Sequence, residues 1–147
     1  MIPAEELLPL LRERLAAGQT VRYLSFRGVS MLPLLRQGKD AVELAPLPPQ
    51  LRKYDLPVYV YPGGKVVMHR ILAVREEDCI CLGDNTYEYE YIRRDQMIGL
   101  VTAIRRGNRR IPVTDPGYRC YCRLWVGLFP LRRILARVKK RIRRLLK

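Results

Sequence analysis

The spacing of apolar residues changes several times along this chain, and each change predicts an element. In residues 3–17, Leu7, Leu8, Leu11 and Leu15 recur at helical spacing and Gly18 supplies a stop. Pro9 interrupts that pattern and moves the expected helix start toward Leu8. Residues 21–27 alternate instead, with Val21, Tyr23 and Ser25 on one face and Leu24 and Phe26 on the other, as in a half-buried strand. A short strand follows at 41–44. The proline-rich run 45–50 is excluded from a sheet interior and reads as a stiff loop. Residues 58–61 and 65–74 form a hairpin about Pro62-Gly63-Gly64. On its second strand Lys65, Val67, His69 and Ile71 share a face. Further strands fall at 79–82, 97–105 and 109–113. Tyr87, Tyr89 and Tyr91 alternate with Glu88 and Glu90, which reads as an exposed edge strand in preference to an aromatic rim for a peptide. The sum is a small, mostly β (α+β) fold with an N-terminal helix.

Past Pro116 the pattern returns to helical spacing. Leu131, Ile134, Leu135, Val138, Ile142, Leu145 and Leu146 are apolar, and Arg or Lys fills most positions between them. Charge sharpens the picture. The formal net charge is +14, yet eleven of the 28 basic residues and none of the 14 acids lie in 117–147. The chain therefore divides into a near-neutral domain, 1–116, and a basic amphipathic tail, 117–147. The tail suits an anionic membrane surface first, with Trp125 and Phe129 inserted, then packing on the protein itself, and nucleic acid last, since no readout motif accompanies the charge. No stretch has the about 18–20 apolar residues of a membrane span, and no basic-then-apolar leader opens the chain. The expected location is cytoplasmic, peripheral at the inner membrane face. Four cysteines form the pairs Cys79/Cys81 and Cys120/Cys122. Read as strands, each pair shares a face, so reduced half-buried thiols are expected in preference to a zinc site. No metal or cofactor is expected.

Three stretches carry candidate chemistry. Gly28-Val29-Ser30-Met31-Leu32-Pro33 presents a serine in a bend flanked by glycine and proline. Val67-Met68-His69-Arg70-Ile71 holds the single histidine of the chain. Gly83-Asp84-Asn85 places an acid in a turn. Together they supply a nucleophile, a base and an acid to orient the base. Lys65 is the alternative base, and Asp55 reads as a turn residue before a strand.

These boxes in this order, with Lys53-Tyr54-Asp55 between them, resemble the signal peptidase I and LexA-like serine peptidase superfamily over residues 21–102. His69 stands where bacterial members carry lysine, which is similar to the histidine variant of archaeal and endoplasmic-reticulum signal peptidases. The resemblance implies Ser30 as nucleophile, His69 as base and Asp84 as its orienting acid. It implies an oxyanion site of backbone N–H groups, chiefly that of Ser30 beside Gly28, and a substrate border at Met31 and Leu32. Two positions depart from the pattern: Tyr54 replaces the usual glycine, and Gly28 replaces a serine found in many signal peptidases. The family's transmembrane anchor is also missing. The expected function is a serine endopeptidase that forms an acyl-enzyme on a leader or precursor peptide. The alternative is a catalytically inactive peptide- or membrane-binding module of the same fold.

Overall fold

The structure is a computed structural model and describes residues 4–147. The expected helix start at Pro3 lies outside the described residues. Among the described residues the chain folds as an α+β protein of three helices and nine strands, all strand pairs antiparallel. Helix α1 (Ala4–Ala16) runs through Pro9 and does not wait for Leu8. Its Leu11 and Leu15 enter the core, and Gly99 leaves room for them: a Cβ there would stand 2.9 Å from Leu15 Cδ1.

One sheet has the order β1 (Val21–Leu24), β2 (Asp40–Ala45), β8 (Met97–Arg106), β3 (Pro57–Val60), β4 (Val66–Met68), with β9 (Arg109–Pro112) also on β8. A second sheet has the order β5 (Arg70–Val74), β6 (Cys79–Leu82), β7 (Glu90–Ile92). The long strand expected over 65–74 is thus two strands in two sheets, and His69 is the residue between them. Alternation along it stops at the histidine. Two apolar clusters are buried: one around Leu35, Leu44, Val58 and Ile104, built on the first sheet, and one around Tyr59, Ile71, Cys81 and Met97, drawn from strands of both sheets. β7 is an edge strand and holds Glu90 and Tyr91 of the alternating run, while Tyr87 and Tyr89 lie before it, outside the strand.

The tail is less separate than the charge pattern suggests. Helix α2 (Pro116–Gly127) is capped by Asp115, whose carboxylate accepts the Tyr118 N–H at 3.0 Å. Tyr118 and Cys122 on α2 belong to the main apolar cluster. A boundary at residue 116 therefore cuts a helix off the core it helps to build. Cys120 and Cys122 sit on this helix and not on a strand, so one thiol is exposed and the other buried. Cys79 and Cys81 do lie on a strand, both buried, and burial pushes the Cys81 thiol up to about 12. Only α3 (Phe129–Leu145) keeps a long apolar face in solvent. No helix among the described residues is long and apolar enough to cross a membrane.

Candidate active site

The Ser30 turn is fastened to the turn after β6. The Asn85 N–H donates to the Ser30 carbonyl at 2.8 Å, and Asn85 Nδ2 donates to the Val29 carbonyl at 3.1 Å. Gly28 opens the turn with φ of 96°, and its N–H donates to Gln37 Oε1. The turn closes through Leu32 N–H to the Val29 carbonyl and Leu35 N–H to the Met31 carbonyl, so its closure does not use the Ser30 N–H. That amide belongs to the donor set expected for an oxyanion.

Gly83 brings the serine and histidine segments together. A Cβ placed on it would lie 2.8 Å from the Ser30 carbonyl oxygen and 3.0 Å from His69 Cδ2. Both atoms therefore border one small space, which only glycine leaves open. Gly83→Ala must push aside the Ser30 backbone, the Thr86 methyl and the imidazole, all within 3.0 Å of the added carbon. It is expected to lower the turnover of any Ser30-dependent reaction by about 10–100-fold and stability by roughly 1–3 kcal/mol. Steady-state kinetics beside a melting curve measures both, and a variant with unchanged turnover would contradict this account.

His69 is buried, with 5 % of its surface exposed. Its Nδ1 lies 3.1 Å from Glu90 Oε2. The ring meets Tyr59 edge-on at 6.2 Å between centroids. The hydroxyls of Tyr59 and Tyr61 both donate to Glu90. Burial pushes the Glu90 carboxyl up, but the hydrogen bonds from His69, Tyr59 and Tyr61 outweigh it and bring the group down to about 2. Burial and the adjacent carboxylate raise both phenols, which stay protonated donors. An ionised carboxylate only accepts, so it selects the tautomer with its proton on Nδ1. Nε2, bonded to the Cδ2 that approaches Gly83, is then the basic nitrogen.

Asp84 does not fill the role the resemblance gave it. Its two oxygens take Arg70 Nε and Nη2 at 2.8 Å each, and Oδ2 also accepts the Tyr121 hydroxyl at 2.7 Å. Arg70, the residue after His69, is fully buried and heads the buried side chains by volume. Its Nη1 donates to the Tyr54 carbonyl, the Tyr118 hydroxyl and Cys122 Sγ. Burial opposes the guanidinium charge, and Asp84 outweighs burial, so the group titrates well above its usual range. Asp84 thus holds the residue beside the histidine, and Glu90 holds the histidine. The reason is geometric: the chain changes sheets at His69, which aims neighbouring side chains at different partners.

Two further expectations change. Met31 is buried, and its sulfur accepts the Asp84 N–H at 3.4 Å, so it belongs to the floor of the site and not to a substrate border. Leu32 is half-buried. Tyr54 has φ of 76°, a region glycine enters freely and other residues at a cost of about 1–2 kcal/mol. Its N–H to the Ile71 carbonyl and its carbonyl to Arg70 hold it there. Asp55 is a turn residue, its carboxylate accepting the Arg52 N–H at 2.8 Å. Lys65 is exposed at the hairpin end.

By fold and site the chain is an α+β protein that sets a buried histidine–carboxylate pair beside a serine-bearing turn. Comparison with family models, with curated proteins and with solved structures returns no match.

Proposed function

We propose that this chain is a serine endopeptidase acting on a leader or precursor peptide, with Ser30 as nucleophile, His69 as base and Glu90 as the acid that orients it. The observation that carries the reading is the His69–Glu90 pair: a buried imidazole whose Nδ1 is tied to an ionised carboxylate and whose Cδ2 borders, with the Ser30 carbonyl, the space left by Gly83. In this mechanism Ser30 Oγ attacks a peptide carbonyl as His69 Nε2 takes its proton. The oxyanion rests on backbone N–H groups of the turn, that of Ser30 first. His69 returns the proton to the leaving amine, and water then releases the acyl group by the reverse sequence. The resemblance to the signal peptidase and LexA-like boxes supports the same assignment of Ser30 and His69.

Active-site labelling tests this directly. A fluorophosphonate probe, which esterifies only an activated serine, is expected to label the protein at Ser30. Labelling should vanish in Ser30→Ala and fall sharply in His69→Ala. Labelling that persists in Ser30→Ala would overturn the assignment. A protein that ignores the probe and cleaves no member of a peptide library would leave the fold as a peptide-binding module.

A further inference from the structure

The outward face of α3 is apolar without interruption. Leu128, Leu131, Leu135, Val138, Ile142 and Leu145 follow one another at alternating spacings of three and four, and every one of them is exposed. Such a row keeps one side of a helix. The opposite side is rooted on the body at its N-terminal turn. Phe129 is buried between Tyr87 and Tyr89, at 6.2 and 5.7 Å between ring centroids. The Arg132 guanidinium lies over the Trp125 ring at 4.1 Å and donates through Nη1 to the Asp84 carbonyl at 3.0 Å. Trp125 Nε1 donates to the same carbonyl at 2.8 Å. Trp125 and Phe129 are therefore bolts of the root, and the expectation that they insert into a membrane fails. Beyond Arg133 the body side of the helix borders an open hollow lined by Tyr87, Ala136, Lys140 and Arg143.

We infer that α3 is an in-plane membrane helix: its apolar row sinks into the acyl boundary of an anionic bilayer while its basic flanks meet the headgroups. Charge decides the occupant. The helix carries eight Arg or Lys residues and no acid. Lys139 and Arg141 flank the apolar row, so a second copy packed along it would set like charge against like charge. Anionic lipid supplies apolar depth and negative charge together, and the combination of a wide apolar face with a cationic one is the signature of interfacial helices. The proposal does not depend on the peptidase reading, because no atom of the Ser30–His69 pair takes part in it.

Vesicle sedimentation of the full chain tests it. The protein is expected to pellet with phosphatidylglycerol-containing phosphatidylcholine vesicles, to stay in solution with pure phosphatidylcholine, and to bind less as salt rises. Leu135→Glu with Ile142→Glu, both exposed and away from the root, should weaken binding by about 100-fold or more without moving the melting temperature. Arg141→Glu with Arg144→Glu should weaken it and flatten the salt dependence. Ser30→Ala should bind as the unaltered protein does, which separates this result from any failure of the peptidase assignment. No binding to anionic vesicles, equal binding to neutral ones, or a dimer in sedimentation velocity that Leu135→Glu dissolves would each overturn the proposal.

Discussion

Glu90→Gln is expected to lower the turnover of the proposed peptidase reaction by about 10²–10⁴-fold while leaving the fold in place. The amide keeps the size of the carboxylate but not its accepting power. Three donors converge on Glu90: His69 Nδ1 and the hydroxyls of Tyr59 and Tyr61. A glutamine must turn its NH₂ toward one of them. Turned toward the histidine, it makes Nδ1 an acceptor and moves the ring proton to Nε2, the nitrogen that has to take the proton of Ser30. Turned the other way, it faces the half-buried Tyr61 hydroxyl, which must then accept where it had donated. Steady-state kinetics with a cleavable peptide reads the first loss. Activity within a fewfold of the unaltered protein would remove Glu90 from the proposed mechanism. Acid stability gives an independent signature. The Glu90 carboxyl titrates lower in the folded protein than in the unfolded chain. Its contribution is thus whole at neutral pH and is lost as pH falls from about 5 through the folded-state value. The difference in stability between the unaltered protein and Glu90→Gln should shrink across that window in urea titrations.

Arg70→Ala is expected to cost roughly 3–5 kcal/mol, the range for leaving one partner of a buried ion pair alone. That is a large share of the about 5–15 kcal/mol that holds a typical domain folded. Asp84 would be left buried with only the Tyr121 hydroxyl on its side chain, and Tyr118 and the Tyr54 carbonyl would lose a donor as well. Asp84→Ala should cost a similar amount from the other side. The two losses are not additive: Arg70→Met with Asp84→Leu removes both charges and should recover much of the stability, because a packed apolar pair needs no desolvated charge. Urea midpoints of the three variants measure this. A protein as stable with Arg70→Ala as without it would show that the bidentate pair contributes nothing.

Most strands could be read from alternation and turn residues. The strand 79–82 falls where the pattern puts it, and the strand expected over 109–113 is β9. The break at His69 could not be read, because Val66 to Val74 is apolar on both faces apart from His69 and Arg70, as one buried strand would be. Only pairing, which spreads β4 and β5 over two sheets, reveals it. The same break hides the acid. Gly-Asp-Asn is a strong local signal, and it does lie at the site, but a motif carries no information on which of two adjacent side chains its carboxylate will meet. Glu90 left a fainter trace. Tyr59 and Tyr61 share the hairpin face of Val67, and two phenols on an inward face need an acceptor. A glutamate alternating with tyrosines on an edge strand is a candidate for it. The tail was legible as a basic amphipathic helix from charge and spacing alone. Its root was not, since Tyr118, Tyr121 and Trp125 grip Arg70 and Asp84 through partners far away in sequence.

The turn at Asp84 has a second consequence. Its backbone carbonyl is the socket for Trp125 and Arg132, its side chain clamps the residue after His69, and the next residue, Asn85, fastens the Ser30 loop. One short segment is therefore both the floor of the site and the mount of α3. Allosteric linkage between two ligands of one protein is reciprocal: if a surface that seats α3 stiffens this turn and raises affinity for a peptide by some factor, the peptide raises affinity for the surface by the same factor. An enzyme built this way would stay longest on a membrane that displays its substrate.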